Sequence, residues 1–276
     1  MKNLSFGKIA ILSTIVGGSL ISETGSAQNV DWISVYQHPD ARVNMGLFLQ
    51  RDSGGNLFVG GQIKRDAAIT VDVLVQKYNS VGGLLWNFWI DSDYDIATGM
   101  GLDSSSNVVV SGILDDSAAP DPSKHRATVL SLDSAGAYRY GFWLTNGRNA
   151  GVAVEPGGSF VTVGSDVAPK SGRLRKYNSA GTSLWTKVYS LPAYDVVDGV
   201  GVSEDTAGNI YALMNAHRID DGSWEMKTIK YSPAGVRLWV NSIASGRWNT
   251  GVKILARPSG GCVVIGSSTV EGTFDG

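Results

Sequence analysis

Few residues in this chain belong to types that could do chemistry, and their spacing limits what that chemistry can be. There are three histidines, His38, His125 and His217, far apart and with no ligand spacing between them. A zinc or other transition-metal centre needs closely grouped His, Cys or carboxylate donors, so no metal site is expected. The single cysteine, Cys262, cannot form an internal disulfide. Its place in the apolar run Cys262-Val263-Val264-Ile265 suits a buried strand residue better than a reactive thiol. Two acidic segments look alike. Asp93-Tyr94-Asp95 and Tyr194-Asp195 each set a tyrosine five residues before a glycine, Gly99 or Gly199. A pair of carboxylates can serve acid–base chemistry at a glycosidic bond. An aspartate recurring at a recurring position is more often a turn residue hydrogen-bonded to its own loop, and that reading is preferred. Arg148-Asn149 and Arg247-Trp248 do not recur in the same form. They are the better candidates for specific contacts to a ligand. No residue is assigned as catalytic.

What positions these residues is a repeat. A glycine followed by alternating apolar residues occurs at Gly46, Gly99, Gly151, Gly199 and Gly251, and each marks a first strand. A tight turn rich in Asp, Gly and Asn then leads into a second, apolar strand. Examples are Asp52-Ser53-Gly54-Gly55-Asn56 before Leu57 and Asp205-Thr206-Ala207-Gly208-Asn209 before Ile210. Asp and Asn fold back on their own backbone and Gly accepts positive φ, so these are hairpin turns. A third strand, a second turn and an aromatic strand follow. Lys77-Tyr78 precedes Gly82 and Trp86, Lys176-Tyr177 precedes Gly181 and Trp185, and Lys230-Tyr231 precedes Gly235 and Trp239. In the second unit Gly136 precedes Tyr140, so the aromatic always stands four residues after the glycine.

Each unit of roughly 50 residues therefore reads as four short antiparallel strands, A to D. That is the content of a propeller blade. The expected fold is all-β, a β-propeller of four-stranded blades with about five units visible and the last incomplete. Blades stack face to face, which explains strands that are nearly continuous apolar runs. Strand A is expected beside the central axis, where glycine permits close approach. The recurrent Trp is expected to pack between neighbouring blades. The A–B and C–D turns are short and uniform, whereas the D–A and B–C connections are long and varied. In a four-stranded meander the two long connections share one face of the ring. Binding residues concentrate on loops carried by a rigid scaffold. The candidate site on that face is Asp93, Tyr94, Asp95, Arg148, Asn149, Tyr194, Asp195, Arg247 and Trp248.

Residues 1–27 have the pattern of a secretory leader. Lys2 and Lys8 precede the apolar run Ile9–Ile21, and Gly25-Ser26-Ala27 offers a small-residue cleavage site. The run is shorter than the roughly 20 residues that span a bilayer, so no membrane span is expected after cleavage. The propeller domain is then residues 28–276, located outside the cytoplasm. The segment Asp31–Tyr36, with Trp32 in the Trp position, resembles a lone strand D able to clasp the ring closed. The fifth unit shows strands A and B but neither C nor D, so the domain is expected to be incomplete at its C-terminus. The formal net charge of −2, with no basic stripe, argues against a nucleic-acid partner.

The pattern Asp52, Gly55, Asn56, Gly60, Lys77, Tyr78, Gly82 and Trp86 recurs at Asp205, Gly208, Asn209, Lys230, Tyr231, Gly235 and Trp239. It resembles the bacterial β-propeller repeat known as the SBBP repeat, over nearly the whole of residues 28–276. The resemblance implies an exported propeller, often part of a larger surface or secreted protein, and carries no common catalytic residues. The second unit departs from the pattern at Tyr140, and the third at Glu155 and Ser159. A binding module for a glycan, peptide or protein ligand is the leading expectation, with no cofactor. The alternative is a carbohydrate-active lyase or hydrolase using the same face. A quinoprotein dehydrogenase is disfavoured by the single cysteine and by the Lys-Tyr-x-x-x-Gly spacing.

Overall fold

The computed structural model describes Ser34, Tyr36 and residues 41–65, 71–90, 94–115, 125–167 and 170–269. The leader, Trp32, Asp93 and the last residues, 270–276, lie outside the described residues.

The described residues form strands throughout, and they group as the repeat predicts. The first blade is β1 (Ala41–Arg51), β2 (Leu57–Arg65), β3 (Val71–Tyr78) and β4 (Leu84–Trp89). The second is β5 (Tyr94–Leu102), β6 (Val108–Asp115), β7 (Arg126–Leu132) and β8 (Tyr138–Leu144). The third is β9 (Gly147–Val154), β10 (Phe160–Asp166), β11 (Gly172–Tyr177) and β12 (Ser183–Tyr189). The fourth is β13 (Tyr194–Glu204), β14 (Ile210–Arg218), β15 (Trp224–Tyr231) and β16 (Arg237–Ile243). The fifth is described by β17 (Trp248–Ala256) and β18 (Cys262–Thr269). Within each blade, consecutive strands pair antiparallel. Single parallel bridges, Val71 to Tyr94 and Trp224 to Trp248, link neighbouring blades. This is an all-β propeller of four-stranded blades.

The core lies between blades. One apolar cluster joins Val161, Val163 and Leu174 of the third blade to Ile210, Met214 and Ile229 of the fourth. Another joins Phe58 and Val75 of the first to Met100, Val108 and Leu132 of the second. Cys262 opens β18 and is half-buried against a third such cluster, where burial pushes its thiol up.

The repeated aromatic explains how blades register with one another. Trp86 on β4 sits beneath the C–D turn of the second blade and donates from Nε1 to the Ser134 carbonyl at 3.1 Å. A Cβ placed on Gly136 of that turn would lie 2.7 Å from the Trp86 ring, and Gly136 has φ +86°. Only glycine meets both demands. Tyr140 sits in the same way under Gly181, and Trp185 under Gly235. The lysine of the motif does related work: Lys77 lies over the Phe58 ring and donates to the Ser134 carbonyl at 3.0 Å.

Strand A corrects the alignment drawn from its glycines. Every strand A carries a one-residue bulge against strand B, at Leu47, Thr98, Ala150, Val200 and Val252. Gly99 and Gly151 follow the bulge, whereas Gly46, Gly199 and Gly251 precede it. The shared feature is the bulge, and the glycines flank it on either side where a Cβ would meet a neighbouring side chain, as at Gly46 and Gly251, or neighbouring backbone. Gly99 faces the Gly151 Cα, and Gly199 faces the Gly164 backbone.

The long connections do share one face. The start of β1 pairs with the end of β2, and the start of β3 pairs with that same end, so D–A and B–C loops emerge together. Ser34 and Tyr36 lie against the first blade, where the Tyr36 hydroxyl accepts from Asn87 Nδ2 at 2.8 Å. Trp32 itself lies outside the described residues.

Candidate binding site

On the long-loop face, the second, third and fourth blades converge on a cavity of about 320 Å³. His125, just before β7, lines it from the second blade, and Arg148 on β9, Asp166 on β10, Val167 and Lys170 line it from the third. Val196 and Asp198 on β13 and Trp224 on β15 line it from the fourth. No sequence neighbourhood contains this set. Strand ends from three units are brought side by side by blade stacking alone.

Charges in the cavity are matched in place. Arg148 Nη2 donates to Asp198 Oδ1 at 2.9 Å, with both side chains partly exposed. Asp166 accepts from Arg173 and, at 3.1 Å, from Ser171 Oγ. Both carboxylates are thereby presented as fixed acceptors with partners already bound. Such a pair of groups can orient a hydroxyl-rich ligand by hydrogen bonds made at the cavity wall.

An aromatic ridge borders the cavity. Trp224 and Trp248 are stacked, with ring centroids 6.4 Å apart and planes 19° apart. His217 lies against Trp224 at 5.0 Å. Its Nδ1 is 2.7 Å from Asp195 Oδ1, and this hydrogen bond holds the Asp195 carboxyl below the usual carboxylate range. Trp248 is 50 % exposed, a large apolar face turned to water beside Trp224.

The residues expected from the sequence separate into groups. Arg148 lines the cavity, Trp248 forms half of the ridge, and Asp195 supports the ridge through His217. Asn149 is buried and donates to the Thr128 carbonyl at 2.9 Å, which ties the third blade to the second. Tyr194 belongs to a separate network: its hydroxyl donates to Glu225 Oε2 at 3.1 Å and accepts from Lys227 Nζ at 2.8 Å. Arg247, next in the chain to Trp248, lines a separate open cleft. Tyr94 opens β5 with backbone pairing to Val71 and Asp115. Asp93 lies outside the described residues.

The resemblance of Tyr94-Asp95 to Tyr194-Asp195 does not survive in three dimensions. Counted from the bulge, Asp95 stands three residues before Thr98, the place held in the fifth blade by Asn249 before Val252. Both are buried, at 1 % and 0 % exposure, and Asn249 donates to the Trp224 and Gly246 carbonyls. Asp195 stands five residues before its bulge at Val200 and is exposed. The two aspartates are therefore not a pair.

Beside Val167 and Val196, the cavity residues that the sequence candidates did not include are Trp224, Asp166, Asp198, Lys170 and His125. The parallel bridge from Trp224 to Trp248 places two tryptophans at one blade junction. A Trp at the start of strand C, absent from the other units, was the available signal.

The chain matches no family model and no curated protein. Solved structures do resemble it. A protein of unknown function from Dyadobacter fermentans has a TM-score of 0.52 at 10% identity, covering 80% of this chain and 78% of that one. The alpha-L-arabinanase of Penicillium chrysogenum, complexed with arabinobiose, has a TM-score of 0.51 at 11% identity, covering 82% and 80%. The Dos1 propeller has a TM-score of 0.48 at 10% identity, covering 77% of this chain. This chain spans 50% of that structure's length. The likeness at these identities is one of fold.

Proposed function

We propose that this propeller is an exported binding module of the SBBP-repeat type that holds a saccharide on its long-loop face. The observation that carries the reading is the cavity shared by three blades, where the Arg148–Asp198 pair stands beside the Trp224 ring. Sugars present hydroxyls at their edges and C–H groups on their faces. Fixed polar partners beside an aromatic plane suit that pattern. A peptide or protein ligand would need a broader apolar contact than this cavity provides. Asp198 is held by Arg148, and Asp166 by Arg173 and Ser171, so both are presented as positioned acceptors. Residues 1–27 supply the export leader in this reading, and the ligand is met outside the cytoplasm.

The test is a glycan array followed by calorimetry on any glycan retained. Trp224→Ala and Arg148→Ala should each weaken binding by about tenfold or more, equivalent to about 1.4 kcal/mol. Binding that neither change affects, or an array with no retained glycan, would refute the reading.

A further inference from the structure

The cavity is not isolated. An open cleft of about 700 Å³, lined in part by Arg218, Ser223, Ser245 and Arg247, uses the chain neighbours of both ridge tryptophans. Ser223 and Glu225 line the cleft while Trp224, between them in sequence, lines the cavity. Arg247 and Trp248 are likewise adjacent, one in the cleft and one on the ridge. Cavity and cleft therefore meet along the start of β15 and the loop before β17, with the stacked Trp224 and Trp248 rings at that junction.

The junction is also held rigidly. The Trp224 amide donates to the Arg247 carbonyl at 2.9 Å. The Asn249 side chain donates to the Gly246 carbonyl at 2.7 Å and to the Trp224 carbonyl at 3.0 Å, and it is fully buried. Ser245 Oγ donates to Asn249 Oδ1 at 3.1 Å. A binding surface built in advance in this way avoids the ordering cost that loops incur on binding.

Volume and exposure then decide how long the ligand is. Pockets for small molecules run from about 300 to 1,000 Å³, so the cavity alone suits a single small ring. A ligand confined to it would leave the Trp248 face in water. We infer that the Trp224–Trp248 ridge joins two subsites, so that the ligand is a linear oligosaccharide running from the cavity over the ridge into the cleft. One unit sits among Arg148, Asp198 and Trp224, the next covers the Trp248 ring, and those beyond meet Ser223, Ser245 and Arg247. This inference rests on the saccharide reading and adds chain length to it.

The experiment is calorimetry with purified ladders from monosaccharide to hexasaccharide. The probes are cello-, xylo-, arabino-, manno-, chito- and galacturono-oligosaccharides. In the series that binds, affinity should rise at least about tenfold from the monosaccharide to the tetrasaccharide and then level off. In Trp248→Ala the ratio of tetrasaccharide to monosaccharide affinity should fall to near unity, and Ser223→Trp, which narrows the cleft, should lower it as well. Thermal unfolding of each variant separates loss of a subsite from loss of fold. A phenylalanine at position 248 keeps an aromatic face and should retain most of the length dependence. Length-independent affinity in the binding series would overturn the inference and leave the saccharide reading standing. No binding in any series would remove both.

Discussion

Glu204 is a carboxylate whose surroundings disfavour its charge, and substituting it tests how the third and fourth blades meet. It closes β13 on the short-turn side, buried, with Oε1 lacking a hydrogen-bond partner. Lys176 Nζ lies 3.9 Å from it but is engaged with Glu155. Burial, reinforced by repulsion from Glu155, pushes the Glu204 carboxyl from 4.5 to about 8 despite the attraction of Lys176. A raised acid binds its proton more tightly in the folded state. Folding stability therefore falls as pH climbs from about 4.5 and is fully reduced above about 8. At 1.36 kcal/mol per pH unit, the shift corresponds to a ceiling of about 5 kcal/mol, less whatever the Lys176 side chain recovers by moving. Glu204→Gln keeps the shape of the protonated acid and removes its titration. Urea unfolding at pH 5 should find the two proteins within about 1 kcal/mol. At pH 8.5 the glutamine protein should be more stable by about 2–5 kcal/mol, with an unchanged m-value. An equal difference at both pH values would refute the argument, since a pH-independent gain comes from packing and not from a suppressed charge.

The lock between blades can be measured directly. Gly136→Ala adds a Cβ at positive φ against the Trp86 ring and should cost about 2–3 kcal/mol in chemical denaturation. Trp86→Ala should cost at least about 2 kcal/mol, and the double variant should lose less than the sum, because the removed ring is what the methyl strikes. Asp205 is subject to burial, which raises a carboxyl, but bonds from Asn209, Tyr211 and the turn backbone hold it below its ordinary value. Its contribution is present above pH 4 and lost as pH falls through its folded value. Asp205→Ala should therefore cost about 1–3 kcal/mol at pH 7 and much less at pH 3, seen as converging urea midpoints. Arg148→Ala breaks a partly exposed ion pair and should change stability by less than about 1 kcal/mol, so any loss of ligand binding reports on the site.

Blades were legible in the sequence because each is a local object. Its turns announce themselves by Asp, Gly and Asn, and its aromatic stands at a fixed distance from a glycine. The bulges were not legible. Leu47, Thr98, Ala150, Val200 and Val252 have nothing in common as side chains. An extra residue in a ladder leaves no compositional mark when the backbone, not the side chain, is displaced. That gap led Tyr94-Asp95 to be equated with Tyr194-Asp195. The site was legible in outline only. The asymmetry of loop lengths pointed to the face that carries the cavity, and Arg148 and Trp248 stood out because they break the repeat. Trp224 and Asp166 sit at strand ends and Asp198 within β13, inside the repeat, where pattern reasoning assigns structure. Their shared cavity depends on which blades are neighbours and how far each is rotated, and those are properties of the stacked ring.

The aromatic lock has a direction. Trp86, Tyr140 and Trp185 each reach forward, beneath a turn of the blade that follows in the chain. A newly made blade cannot finish its own outer edge and must wait for its successor. As the polypeptide emerges from the ribosome, each of these aromatics therefore appears before the turn that covers it.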